Sequence, residues 1–215
     1  MTLCVLATGN RHKLAELAAL LEAAGVALEV VSPKRFGVPP EIEETGTSYG
    51  ANAVLKATGV AQWLAERGCP GDALVLADDS GLCVDVLGGA PGVRSARFGG
   101  DPSDDANNNA RLVAELRARG VTCGAAHYAC VLALVQVEGG APAGQGGSAV
   151  CFEGRWDVEV RVDARGSGGF GYDPHAWIDG GARTVAELGA SDKAARSHRG
   201  HALRALLAWW AAQRA

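Results

Sequence analysis

The apolar positions of this chain fall into two kinds of run, and their alternation predicts the order of elements. Leu3 to Ala7 is a short unbroken apolar run, the pattern of a buried strand. After the turn residues Thr8-Gly9-Asn10, the residues Leu14, Leu17, Leu20, Leu21 and Ala24 recur at helical spacing, so Arg11 to Ala24 reads as a helix. Gly25 suits its C-terminal stop. Ala27 to Val31 is the next apolar run, and the chain opens as strand, loop, helix, strand.

Residues 32–47 are rich in Pro, Gly and charge and read as a loop. Thr47 or Ser48 is placed to cap a helix over about Gly50 to Arg67, ended by Gly68. Ala73 to Ala77 predicts another buried strand, which leads into an acidic turn at Asp78-Asp79-Ser80-Gly81. Leu82 to Leu87 then continues extended up to the turn cluster at 88–92. Asp104 or Asp105 caps a helix of about Ala106 to Arg119. Strand-like runs follow at 126–137, 148–153 and 156–163, and Gly139 to Gly147 predicts a hairpin with a mobile loop between the first two. After a Gly-rich loop at 166–171, a final helix of about 197–213 closes the chain. There is no repeat and no clear linker, so the expectation is one domain over 1–215, of α/β class with a mixed sheet.

Composition narrows the possible classes. A chain of 215 residues that is 48% hydrophobic and 20% charged can bury a sizeable core. No apolar run reaches the ~20 residues of a membrane span. The first residues lack the basic region of a secretory signal, so a cytoplasmic protein is expected. A net charge of −4 argues against a protein that coats nucleic acid, which needs a basic face. It leaves room for a small polyanion held by a few placed cations. The 6 cysteines form no C-x-x-C pair and mostly sit in apolar runs, so buried reduced thiols are expected. Of the 20 basic residues only four are lysines, at Lys13, Lys34, Lys56 and Lys193. A lysine kept where most cations are arginine is a candidate for work that needs a compact ammonium.

Several constellations carry chemistry, each with a plain alternative beside it. The strand–TGN–helix start offers backbone N–H groups and a positive helix end to phosphate, with Lys13 in the first turn; it also fits an ordinary Asn-capped helix. It is not a Walker A loop. Asp78 and Asp79 at a strand end suit Mg²⁺, which takes one or two carboxylates, water and phosphate oxygens; Glu41, Glu43 and Glu44, in the loop before the second helix, can supply another ligand. The plain alternative is a solvated turn. Asn52 and Lys56 share one helix face, which can equally be a solvent face. Residues 166–171 spell G-x-G-x-x-G, but Tyr172-Asp173-Pro174 opposes the helix a dinucleotide fingerprint requires. A loop bearing Phe170 and Tyr172 can instead meet a base. Lys193, His198 and Arg199 gather cations at a helix start, against its dipole, which suggests an anionic or carbonyl-bearing partner.

Taken together, LATGNRHKLAEL, EETGTSYGANAVLKA, LADDSGLCVDVLGGAPGVRSARF, GSGGFGYDP and SDKAARSHRGHAL resemble, in order, the motifs of the inosine/xanthosine triphosphate pyrophosphatase family. The resemblance runs from about residue 3 to residue 208. It implies an elongated mixed β-sheet flanked by helices, with two lobes around a central cleft, and a homodimer. It implies Mg²⁺-dependent hydrolysis of dITP, ITP and XTP to the monophosphate and pyrophosphate, with no nucleic-acid or membrane partner. Carried over by motif, Thr8, Gly9, Asn10, Arg11, His12 and Lys13 bind phosphate, and Glu43 and Asp79 are the metal ligands. Asp79 is also the proton acceptor, and Lys56 is the lysine near the phosphates. Ser80, Phe170, Gly171, Tyr172, Asp173, Lys193, His198 and Arg199 bind substrate. Ala51 stands where the family commonly has Glu, and Tyr49 where it commonly has Phe. The alternatives are a general nucleotide phosphatase, a pyrophosphatase for modified pyrimidines, and a sensor that binds nucleotide without turnover. The joint presence of Asp78, Asp79, Lys13 and Lys56 favours catalysis.

Overall fold

The computed structural model describes residues 2–137 and 148–213. The stretch Gly139 to Gly147, read above as a mobile hairpin loop, lies outside the described residues. The opening follows the sequence pattern: strand β1 (Thr2–Leu6), helix α1 (Arg11–Ala23) and strand β2 (Leu28–Val31), with β1 and β2 parallel. Gly25 takes φ 62°, the left-handed stop expected after α1. Helix α2 (Tyr49–Ala65) starts at Ser48, whose side chain accepts from the Ala51 amide. Strand β3 (Leu74–Val84) pairs in parallel with β1.

Next come helix α3 (Asp105–Ala118), capped by Asp104, and the long strands β4 (Cys123–Gln136) and β5 (Val150–Arg161). The short strands β6 (Ala176–Ile178) and β7 (Arg183–Thr184) follow, then helices α4 (Ala190–Arg196) and α5 (His198–Ala212). The strands join in one sheet of order β2-β1-β3-β4-β5-β6-β7. Its β2, β1 and β3 are parallel while β5, β6 and β7 are antiparallel, so the mixed sheet expected from the sequence is present. Among the described residues, no helix is long and apolar enough to cross a membrane.

The chain divides into two compact units. The first comprises Met1–Asp79, Val131–Glu153 and Ala202–Ala215; the second comprises Ser80–Cys130 and Gly154–His201. In the first, Ala53, Ala57, Val60, Ala61 and Leu64 of α2 pack on Val5, Ala7, Val75, Ala77, Val131 and Ala133. The alanines at 53, 57 and 61 recur every four residues, which puts small side chains on one helix face and lets α2 approach the sheet closely. In the second, Leu112 and Leu116 of α3 pack with Leu82, Val84, Tyr128, Trp156, Val158 and Val160. Trp209 of α5 packs its ring on Phe152 at 5.6 Å in the first unit, and Trp210 lies 6.3 Å from Trp209.

Four sequence readings change. Asp78-Asp79-Ser80-Gly81 is not a turn: all four residues lie inside the 11-residue strand β3. Two carboxylates in a buried strand look unfavourable from sequence, but each has a cation close by, as described below. Leu82 to Leu87 is extended only to Val84, after which Asp85–Leu87 forms a 3-10 turn. The runs at 148–153 and 156–163 are one strand, because the buried and exposed positions of β5 alternate through Gly154 and Arg155. That alternation also explains the cysteines. All 6 are free thiols, and Cys4, Cys69 and Cys130 are buried as expected. Cys151 falls on an outward position of β5 and Cys123 on the first residue of β4, and both are exposed.

Candidate active site

In the first unit the candidate site is built around β3. Successive side chains of a strand point to opposite faces, and Asp78 and Asp79 accordingly have different partners. Asp78 Oδ2 lies 3.1 Å from Lys13 Nζ. Asp79 Oδ1 lies 3.4 Å from Lys56 Nζ, and Asp79 Oδ2 accepts from Asn52 Nδ2 at 3.2 Å. Both aspartates are almost fully buried, at 1% and 5% exposure. Each carboxylate thus has its own nearest lysine, Lys13 at Asp78 and Lys56 at Asp79.

Asn52 and Lys56, one turn apart on α2, both reach Asp79, so the helix face that the sequence left between solvent and site faces the carboxylate. Asn52 Oδ1 also accepts from the Gly46 amide at 2.8 Å, which ties the loop before α2 to the same point. Lys56 Nζ also lies 3.3 Å from Glu44 Oε2. Glu43, the carboxylate singled out by motif, is exposed on the same loop, and its carbonyl accepts from the Thr45 amide. Burial raises the Asp79 carboxyl above the usual carboxylate range. Lys56 and Lys13 draw it part of the way back, Glu44 adds to the rise, and the Asn52 hydrogen bond opposes it.

At the start of α1, Asn10 Oδ1 accepts from the amides of His12 at 2.9 Å and Lys13 at 3.2 Å. The Asn10 amide donates to Thr8 Oγ1 at 3.2 Å. The plain reading of an Asn-capped helix is therefore correct as local structure. Lys13 is nevertheless not a solvated surface lysine, since its ammonium is drawn to buried Asp78. Gly9, Asn10, Arg11 and His12 are exposed around this helix end.

A divalent ion fits this donor set in one particular way. Among the described residues, no three His, Cys, Asp or Glu side chains gather as a cage. Mg²⁺ does not require one, because it completes an octahedron with water and phosphate oxygens around one or two carboxylates. Asp79 with a glutamate of the 43–44 pair meets that requirement, and Ala51, in the first turn of α2, adds no carboxylate.

The second unit carries the remaining motif residues. Its loop from Gly166 to Asp173 folds around the Asp173 carboxylate, which accepts from the Phe170 amide at 2.9 Å and from Lys193 Nζ at 2.7 Å. Gly169, at φ 72°, has no alternative: a Cβ there would overlap Asp173 Oδ2. Asp173–His175 is a 3-10 turn rather than the start of a long helix, as the rejected dinucleotide fingerprint requires. Gly171 is gripped on both sides of its own residue by α3: its amide donates to Asp105 Oδ2 at 2.7 Å and its carbonyl accepts from Asn109 Nδ2 at 2.9 Å. The Tyr172 hydroxyl donates to the Ser95 carbonyl at 2.7 Å.

Lys193 Nζ and the Arg199 guanidinium lie 4.6 and 5.3 Å from the centre of the Phe170 ring, within cation–π range. Arg199 Nη2 also donates to Ser80 Oγ at 2.7 Å. Helix α4, which the sequence pattern does not announce, carries Lys193, and Ser197 then breaks the chain direction and accepts from the Gly200 amide to cap α5. His198 and Arg199 thus occupy the first turn of α5, buried beside Lys193. The structure brings Ser80, Phe170, Asp173, Lys193, His198 and Arg199 into one set of contacts. Sequence reasoning missed Tyr128, which is stacked on His198 at 4.9 Å and whose hydroxyl donates to Asp173 Oδ1 at 3.2 Å. It also missed Asp105 and Asn109 as the groups that hold Gly171, whereas Glu44 was among the carboxylates it weighed. Tyr128 had one signal, a polar-tipped aromatic at an inward position of an apolar strand.

Comparison with known proteins places these residues in a family. The model of the Ham1 family matches residues 4–209. A dITP/XTP pyrophosphatase of Streptomyces avermitilis is 41% identical over 207 residues, covering 96% of each chain. One from Chromobacterium violaceum is 45% identical over 205 residues, covering 95% of this chain and 94% of that protein. Among solved structures, a HAM1 protein from Coxiella burnetii superposes with a TM-score of 0.79 at 36% identity, covering 96% of both chains. A nucleoside-triphosphatase / dITP/XTP pyrophosphatase from Mycobacterium abscessus does so with a TM-score of 0.69 at 39% identity, covering 96% of this chain and 99% of that one. Sequence and fold agree along nearly the whole length, and the chain belongs to the Ham1 family.

Proposed function

We propose that this protein hydrolyses noncanonical purine nucleoside triphosphates, namely dITP, ITP and XTP, to the nucleoside monophosphate and pyrophosphate. The observation that carries the reading is the buried Asp79 carboxylate, held by Asn52 and Lys56 in a chain whose relatives are dITP/XTP pyrophosphatases. The whole chain, 1–215, is read as one catalytic domain of a cytoplasmic homodimer.

Asp79 and Glu43 are the residues assigned to hold Mg²⁺. When bound, the ion supplies charge neutralisation at the phosphate oxygens and orders water. Lys13 and Lys56 neutralise the negative charge that grows on the departing pyrophosphate. Asp79 orients a water towards the α-phosphorus and takes its proton. The bond that forms joins water oxygen to the α-phosphorus, and the bond that breaks is the α–β anhydride. Thr8 to Lys13 receive the phosphates, with the exposed end of α1 adding its positive dipole.

Ser80, Phe170 to Asp173, Lys193, His198 and Arg199 are assigned to the nucleoside. Donors on His198 and Arg199 suit the 6-oxo acceptor of hypoxanthine and xanthine. Adenine presents a donor at that position and leaves such buried groups unpaired, a mismatch worth ~10⁴-fold or more in discrimination.

The test is to incubate purified protein with Mg²⁺ and dITP, ITP, XTP or dATP and to measure pyrophosphate. Pyrophosphate from the first three, with dATP a poor substrate, is the expected result. Orthophosphate as the direct product, or equal rates on all four, would overturn the reading.

A further inference from the structure

Tyr128 belongs to none of the motifs that carried the reading above, yet it touches two of the groups assigned to the nucleoside. It lies on β4 and is buried. Its ring stacks on the His198 imidazole with centroids 4.9 Å apart and planes 11° from parallel. Its hydroxyl donates to Asp173 Oδ1 at 3.2 Å. The other oxygen of that carboxylate accepts from Lys193 Nζ and from the Phe170 amide. One side chain therefore links the first turn of α5, the Gly-rich loop and Lys193.

Two separable features do this work. The flat ring fixes the plane of the imidazole, since sliding or tilting the stack gives up contact area. The hydroxyl fixes Asp173, since a buried donor has nowhere else to turn without losing its hydrogen bond. Discrimination between a 6-oxo and a 6-amino purine depends on donors that cannot swing away to find another partner. A loosely held His198 would relieve the mismatch with adenine and so lose selectivity before it lost turnover.

We propose that Tyr128 is a positioning residue for purine selectivity: its ring sets the plane of His198, and its hydroxyl sets Asp173 and through it Lys193 and Phe170. The assignment rests on the function proposed above, in which His198 and Lys193 meet the base.

The experiment compares wild type, Tyr128→Phe and Tyr128→Leu for kcat and KM on dITP and dATP, with pyrophosphate as readout. In Tyr128→Leu the KM for dITP rises by about tenfold with kcat little changed, and the dITP-to-dATP ratio of kcat/KM falls by about tenfold. Tyr128→Phe keeps the stack and loses the hydroxyl. It restores most of the ratio, while its KM stays raised by roughly threefold. Independently of turnover, the His198 ring-proton resonance, displaced by the stacked ring in wild type and Tyr128→Phe, moves in Tyr128→Leu. A folded Tyr128→Leu with an unchanged ratio overturns the assignment, as does a loss of kcat common to both nucleotides with KM unchanged. If Tyr128→Leu does not fold, Tyr128→Phe decides: a KM for dITP equal to wild type overturns it. A wild type that releases no pyrophosphate refutes the functional reading and this assignment with it; an active wild type with indifferent variants refutes the assignment alone.

Discussion

Asp78 and Asp79 are neighbours in sequence that the strand turns to opposite sides, and their partners differ accordingly. Asp79 binds its proton more tightly in the folded protein than in the unfolded chain, because burial raises its pKa. Ionising it therefore costs stability as pH rises from the ordinary carboxylate range through the raised value. Asp79→Asn removes that cost together with the proposed base. With chelator present, its melting temperature should gain on wild type as pH rises out of the ordinary carboxylate range, while pyrophosphate release is abolished. A variant that keeps turnover would remove Asp79 from the chemistry. The lysines show how much could be read at this scale. Their scarcity singled out Lys13, Lys34, Lys56 and Lys193, and in the structure Lys13, Lys56 and Lys193 each face a buried carboxylate. Tyr128 could not be singled out in the same way, because its two partners lie 45 and 70 residues further along the chain.

At the scale of elements, the helical periodicities of α1, α2 and α3 and their capping residues Asn10, Ser48 and Asp104 were legible, because caps and periodicity are local. The path through β3 was not, because Asp-Asp-Ser-Gly has the composition of a turn and only tertiary partners make it a strand. Two contacts between elements carry predictions. The Gly99 amide donates to Asn108 Oδ1 at 2.7 Å, and a Cβ at Gly99 would sit 2.5 Å from the carbonyl carbon of Asn107 in the first turn of α3. Backbone cannot yield as a flexible side chain can, so Gly99→Ala should lower unfolding free energy by about 2 kcal/mol in urea denaturation. Asp179 accepts from Arg196 of α4 and Arg183 of β7, which hold its carboxyl well below the usual range. A depressed pKa contributes stability above the ordinary carboxylate value that is lost as pH falls through the lowered one. Asp179→Asn should lower the melting temperature at neutral pH and flatten its fall on acidification; an unchanged acid limb would remove this pair from the account.

For the whole molecule, the mixed sheet and the order of motifs were legible because five weak signals occur in one sequence order over nearly its full length. Two lobes were implied by the resemblance alone; residue patterns could not give the boundary between the two compact units, since β3, β4 and β5 each contribute residues to both and leave no linker to find. Two proposals belong to this scale. Sedimentation should give twice the mass of a 22.0 kDa chain, and a single-chain mass would refute the homodimer. Chelation should abolish pyrophosphate release and added Mg²⁺ should restore it; release that persists in chelator would exclude a required divalent ion.

The exposed thiols offer an experimental opening of a different kind. Cys123 belongs to the second unit and Cys151 to the first, while Cys4, Cys69 and Cys130 are buried and burial pushes the Cys4 thiol up to about 12. Thiolate is the reactive form, so alkylating probes will find the two exposed sites first. Burial and Glu153 also raise the Cys151 thiol, so its labelling speeds up as pH is raised. Sequential labelling at two pH values would thus write a donor dye on one unit and an acceptor on the other without engineering a cysteine. The native chain then carries its own ruler for following the two units as nucleotide binds and pyrophosphate leaves.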